Sequence, residues 1–266
     1  MRLGLRRAGS FHVLLIAGAA AASFPVAASA AEWVALVGGR LRVRPPYEGA
    51  DHYVVSPYPT LMIRRSDRPQ RFVPPDGGGT FGLIDTKHVV AGPALRFRYR
   101  RSDRAEFAGL DRIGVATEPG VFVDVWPKPW LRGRVEVRRG FGGHEGWVGD
   151  LAADVIYSKG PWNASIGPRV GFGDSEYMFT YFGVTPQQAA ASPVINRAYD
   201  PGGGLRYTGL TVSVARQFSR RISGTADLGY TNLARRADDS PIVRRLGSQG
   251  QVSFGVGVTY LLGKIL

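Results

Sequence analysis

Arginines at every second position are the residues of this chain with most to offer chemically. Arg40, Arg42 and Arg44 form one such ladder, Arg96, Arg98 and Arg100 a second, and Arg132, Arg134 and Arg138 a third, broken by Glu136. In an extended strand successive side chains point to opposite faces, so each ladder gathers its guanidinium groups on one face. A guanidinium presents a planar fork of donors that matches a carboxylate or a phosphate. Asp124, Glu136, Asp150, Asp154 and Asp227 fall on strand positions that share that face. Two chemistries follow: ion pairs that plug a narrow interior, or a passage or pocket for acidic groups. The candidate ligand-binding residues are Arg40, Arg42, Arg44, Arg96, Arg98, Arg132, Arg134 and Arg138.

Catalytic constellations are thin by comparison. Beyond the first 30 residues the histidines are His52, His88 and His144, and His144 sits beside Glu145 in a glycine-rich loop, where a base and its orienting partner could reside. No serine can be paired with it from spacing. Glu48, Asp51, His52 and His144 lack the spacing of a known metal motif. The runs Gly77-Gly78-Gly79 and Gly202-Gly203-Gly204 do not open a helix followed by Lys-Ser or Lys-Thr, so neither is a phosphate loop. The expectation is a protein that is not an enzyme, with no metal and no cofactor.

The elements that carry the ladders read as strands of an exported barrel. Arg2, Arg6 and Arg7 precede an apolar run from Val13 to Ala22, and Ala28-Ser29-Ala30 is a small-residue cleavage site, which predicts a signal peptide over 1–30. Residues 31–266 are then one domain. They contain no cysteine, so disulfides do not hold the exported chain. The first 30 residues hold three of the 34 basic residues and no acidic one, leaving 31 against 21 and a net charge of +10. Export argues against nucleic acid as the partner of that charge and leaves lipopolysaccharide phosphates, anionic murein or anionic solutes.

Strict alternation from Gln251 to Tyr260, with Val252, Phe254, Val256, Val258 and Tyr260 on one face, recurs along the chain about every 20 residues, the spacing of a membrane strand and its turn. The reading is all-β, an antiparallel outer-membrane β-barrel of about 12 strands, or about 10 if the weak pieces near Arg71 and Thr80 are discounted. Short turns are expected at 158–161, 219–220 and 127–129. Longer outward segments are expected at 101–112, 141–146, 173–205 and 234–249, and the third holds a short helix from Pro186 with Thr185 as its N-cap. A soluble sandwich would alternate too, but its strands run shorter.

Several blocks carry a resemblance. Arg44-Pro45-Pro46-Tyr47-Glu48-Gly49-Ala50-Asp51, Gly92-Pro93-Ala94-Leu95 and Gly142-Gly143-His144-Glu145-Gly146 come first in order. Tyr177-Met178-Phe179-Thr180-Tyr181-Phe182-Gly183-Val184-Thr185-Pro186 and Ala237-Asp238-Asp239-Ser240-Pro241-Ile242-Val243 follow. Together they resemble the MipA/OmpV family of outer-membrane proteins across almost the whole chain after residue 30. The resemblance departs at the C-terminus, where Leu261 to Leu266 follow Tyr260. It implies a non-enzymatic scaffold or binding protein that links a murein lytic transglycosylase to a murein synthase at the outer membrane, or a porin-like barrel for small anionic solutes. Outer-membrane lipid and lipopolysaccharide are its expected surroundings. Tyr177, Met178, Tyr181, Phe182 and Asp200 are the candidate plug over the lumen, because a loop this long is usually functional.

Overall fold

In the computed structural model, residues 33–67, 71–75, 77–101 and 107–264 are described, so the expected signal peptide over 1–30 lies outside them. Ten long strands carry the fold: β1 (Trp33–Arg44), β2 (Val54–Arg65), β5 (Val89–Arg98), β6 (Ala116–Lys128), β7 (Leu131–Arg139), β9 (Trp147–Lys159), β10 (Trp162–Gly173), β11 (Gly204–Gln217), β12 (Ile222–Leu233) and β13 (Gly250–Lys264). Three short strands, β3 (Gly79–Phe81), β4 (Ile84–Asp85) and β8 (Phe141–Gly142), complete the sheet. Successive long strands pair antiparallel except β2 and β5, and β13 returns to β1 with Phe254 opposite Val43 and Leu261 opposite Leu36. The residues after Tyr260 are thus part of the closing strand, as far as Lys264 opposite Val34.

The ring closes through eleven strands rather than twelve or ten, because β3 is inserted between β2 and β5. It runs parallel to β2, with Met62 opposite Thr80, and antiparallel to β5, with Gly79 opposite Leu95. A parallel neighbour requires the chain to travel back before it pairs, and it does so through the lumen. Pro74 and Pro75 are buried there, and the Pro75 carbonyl accepts a hydrogen bond from Nη1 of lumen-facing Arg40 at 2.6 Å. The expected strand at 71–73 is therefore not formed, since the adjoining prolines cannot donate to a ladder.

Alternation decides which way each side chain points. Leu41, Val55, Val123, Val137, Val155, Leu210, Leu228 and Val256 face outward and are exposed, as an outer-membrane barrel requires of its lipid-facing band. Two aromatic girdles bound that band. Trp130, Tyr157, Trp162 and Phe218 are exposed at the end that carries the short turns, and Trp147, Phe172 and Tyr230 at the other. Gly167 is required on β10, because a Cβ there would stand 1.7 Å from the Ala153 carbonyl of β9.

All four long segments emerge at one end and build a cap. It contains α1 (Ser175–Phe182), α2 (Pro186–Ala191), α3 (Arg235–Asp238) and α4 (Pro241–Leu246). α2 is the expected helix, with Pro186 in its first turn and a reciprocal capping box between Thr185 and Gln188. α1 is extra: Asp174 caps it by accepting from the Tyr177 amide at 2.8 Å, and its other oxygen accepts from the Trp147 amide at 2.9 Å. The cap has its own apolar core, with Tyr177, Met178, Phe182, Val184 and Ile195 essentially inaccessible to solvent. Burying such side chains contributes about 1.5–3 kcal/mol each, enough to hold loops that lack long strands.

Candidate functional site in the barrel lumen

The lumen is filled from its walls by arginine and carboxylate. Arg96 grips Glu136 with two parallel bonds of 2.7 Å, the fork geometry that makes arginine specific for carboxylates. Arg134 reaches the same Glu136 at 2.6 Å and Asp124 at 3.2 Å. Arg132 bridges Asp124 at 2.8 Å and Asp154 at 2.6 Å, and Arg169 holds the far oxygen of Asp154 at 2.8 Å. Glu136 stands directly opposite Asp150 in the β7–β9 register, a like-charge pair that would be unfavourable alone. Arg138 resolves it by binding both carboxylates while also donating to Glu118 at 3.0 Å.

The cap is bolted to this network. The Tyr177 ring lies between two guanidinium groups, 5.0 Å from that of Arg98 and 4.9 Å from that of Arg206. Arg206 in turn binds Glu48 of the β1–β2 loop and Asp150 at 2.7 Å, and Arg98 binds Glu48 at 3.1 Å and Glu118 at 2.7 Å. His144 is buried with its Nε2 2.9 Å from Glu118 and its ring edge-on to Tyr177 at 4.9 Å. Burial pushes the hydroxyl of Tyr177 well above the ordinary tyrosine range and that of Tyr181 up to about 12, in both cases against the pull of Arg98. Burial likewise lowers the pKa of Arg101, whose Nη2 donates to the Asp111 carbonyl at 2.8 Å.

Between the β1–β2 loop at Pro45 to Glu48, the inward-folded chain at Pro74 and Gly77, and the wall lies a cavity of about 300 Å³. Nine arginines line it, at 42, 44, 96, 98, 132, 134, 138, 169 and 206, against four carboxylates, Glu48, Glu118, Glu136 and Asp150. Arg42 and Arg44 are the least satisfied among them. Arg42 stands 3.5 Å from Asp227, which Arg40 also binds at 3.2 Å, and Arg44 makes one long contact of 3.5 Å with the Pro45 carbonyl. The Nε of each is buried without a hydrogen-bond partner. Each stands over a tyrosine, Arg42 at 5.6 Å from the ring centre of Tyr58 and Arg44 at 4.9 Å from that of Tyr99.

Seven of the eight arginines singled out from the sequence line this cavity, and Arg40 sits beneath it on Asp227. Arg100 does not join them, because it lies beyond the end of β5 and is exposed. Tyr177, Met178, Tyr181 and Phe182 form the centre of the cap core. Asp200 does not: it is exposed, and its carboxylate accepts from the Gly202 amide at 2.9 Å to close a local turn. Glu48, Asp51, His52 and His144 do not form one site, since Glu48 and His144 are consumed by the ion network and His52 contacts Asp51 at 3.2 Å and the Tyr47 ring edge-on at 6.1 Å. Among the described residues no three acidic, histidine or cysteine side chains stand together as a metal-holding group.

Sequence reasoning missed Glu118, Arg169, Glu48 and Arg206 as lumen residues. Arg169 continues the alternation of Ser165 and Gly167, and Glu118 stands opposite Arg96, so periodicity carried a signal for both. Arg206 was beyond it. A register shift between Gly171 and Phe172 leaves Arg206 without an opposite residue, and this bulge turns it inward, out of phase with the outward-facing Leu210.

Among solved structures the chain is similar in outline to the NanC porin, at 10% identity and a TM-score of 0.41, covering 86% of this chain and 100% of that one. An outer membrane channel from Pseudomonas putida F1 is similar at 10% identity and a TM-score of 0.39, with 87% and 96% covered. The KdgM porin is similar at 9% identity and a TM-score of 0.33, with 86% and 98% covered. A comparison with curated proteins gives no match. The family model described as MltA-interacting protein MipA matches residues 37–262, which takes in every long strand, the ion network and the cap, and the chain belongs to that family.

Proposed function

We propose that this protein is a non-enzymatic barrel of the outer membrane that holds partners and does not conduct solutes. One observation carries this reading: Tyr177 of the cap packs within about 5 Å of the lumen arginines Arg98 and Arg206, Glu48 of the β1–β2 loop binds both of them, and Glu118 of the wall binds Arg98. A conducting pore needs a continuous aqueous path, and this arrangement supports a plug instead. The apolar outer band and the two aromatic girdles support residence in a bilayer. The family's name, MltA-interacting protein, supports a protein partner, which we take to be a murein lytic transglycosylase; a murein synthase held beside it and lipopolysaccharide as the surrounding lipid complete the proposal.

Planar-bilayer recording of the purified barrel tests the plug. Silence is expected from the intact chain, and conductance after removal of residues 175–199; steady conductance from the intact chain overturns the reading. The scaffold role is tested by detergent pull-down with a lytic transglycosylase as bait. Capture above that of an unrelated barrel is expected, and its absence sinks the scaffold.

A further inference from the structure

We propose that the chamber beneath the cap is a binding site for a small oxyanion, a solute bearing phosphate or carboxylate groups, clasped by Arg42 and Arg44. The proposal rests on the reading of the lumen as closed at the cap and names what that chamber takes. Most of the lining arginines reach at least one carboxylate at 2.6–3.2 Å. Arg42 has a share of Asp227 at 3.5 Å and a long bond to the Ser253 hydroxyl at 3.4 Å, and Arg44 has no carboxylate within salt-bridge distance among the described residues. The positive charge left over is therefore concentrated on two neighbouring positions of β1 rather than spread around the wall.

Concentrated charge in a closed interior is costly, because isolated ions lose hydration there without compensation. An anion removes that cost. The geometry suits one: the guanidinium groups stand 5.6 and 4.9 Å from the Tyr58 and Tyr99 ring centres, and each leaves a buried Nε without a protein acceptor. Two such forks match the oxygens of a phosphate or of a di- or tricarboxylate, where lysines would offer only point charges. The 300 Å³ volume lies at the small end of ligand pockets and admits a compact solute, not a polymer or a lipid chain. Pro45, Pro46 and Pro74 supply rigid apolar walls beside the arginines, which keeps the chamber from collapsing onto its own charge.

The test is isothermal titration of the whole folded barrel in detergent with inorganic phosphate in one arm and citrate in the other, in low-salt chloride buffer. Saturable submillimolar binding in at least one arm is expected; phosphate alone identifies a phosphate source, and citrate alone a carboxylate source. Arg42→Gln and Arg44→Gln are each expected to weaken binding about tenfold or more, the worth of a lost charged hydrogen bond. Arg220→Gln, at an exposed turn of the opposite end, is expected to leave it unchanged. No saturable binding in either arm, or wild-type affinity in both glutamine variants, overturns the site. Should Arg44→Gln not fold, Arg44→Lys replaces it, and wild-type affinity in that variant also overturns the proposal. Bilayer recording of the same preparation separates the two readings: conductance with tight anion binding refutes closure alone, and silence without binding refutes the anion site alone.

Discussion

Glu118 is the most heavily engaged carboxylate of the interior, since Arg98, Arg138 and His144 all converge on its two oxygens and its side chain is 1% exposed. A buried ion pair contributes little net stability when whole, yet removing one partner leaves charge stranded. Glu118→Gln is therefore expected to destabilise the barrel by about 3–5 kcal/mol, read as a shift in urea unfolding. A loss below about 1 kcal/mol would mean that the network rearranges and that Glu118 is not its centre. Tyr181 offers a second measurement. Its hydroxyl is held near 12 by burial, above the roughly 10 of an unfolded tyrosine. A pKa raised on folding contributes stability that is intact below pH 10 and is lost as pH climbs through 12. Absorbance at 295 nm should show one tyrosine titrating near 12 that disappears in Tyr181→Phe; an unchanged titration curve would refute that assignment. Individual roles such as these were only half legible. Arg96 and Arg134 announce a lumen face by alternation, but the convergence of three donors on Glu118 depends on which strands are neighbours.

Elements divide cleanly between those written in local pattern and those that are not. Long strands alternate, so β7 and β13 could be read residue by residue, and α2 declared itself through Thr185 and Pro186. α1 did not: Tyr177, Met178, Tyr181 and Phe182 recur at helical spacing on its buried face, but the exposed Phe179 breaks the contrast between the faces in so short a segment. Its seat on the barrel depends on Gly146: a Cβ there would come 2.3 Å from the Tyr177 amide nitrogen and 2.4 Å from an Asp174 oxygen. Gly146→Ala should therefore loosen the cap while sparing the strands, at a cost of about 1–3 kcal/mol. Limited proteolysis checks this: faster cleavage within 175–199 is expected, with the heat-dependent gel mobility of the barrel retained. A cap as resistant as wild type would mean that α1 does not need this contact. The same locality explains the error over 71–73. Alternation there was weak but not absent, and only the return path of the chain, with Pro74 and Pro75 inside the lumen, excludes a strand.

The whole molecule is held by one seam, β1 against β13, which joins residues more than 200 positions apart. Leu261, Leu262 and Lys264 pair with Leu36, Ala35 and Val34, the start of β1. Truncation after Tyr260 is expected to leave that part of β1 as an open edge, with unsatisfied backbone groups in lipid, and so to lower the folded yield and the temperature of gel-mobility collapse. An unchanged transition would show that the seam is carried by Val43 to Val37 alone. From the sequence by itself follow the barrel class, the lipid-facing and lumen-facing sets, the end that carries the long loops and the family. Each of these rests on local periodicity, on turn chemistry or on blocks of residues, all properties of neighbours in the chain. Eleven strands instead of an even number, the inward path of Pro74 and Pro75, the bulge that turns Arg206 inward and the seating of the cap on the ion network were decided only in three dimensions. They depend on which distant residues compete for the same partner, and charge balance inside a closed ring cannot be evaluated until the ring is closed.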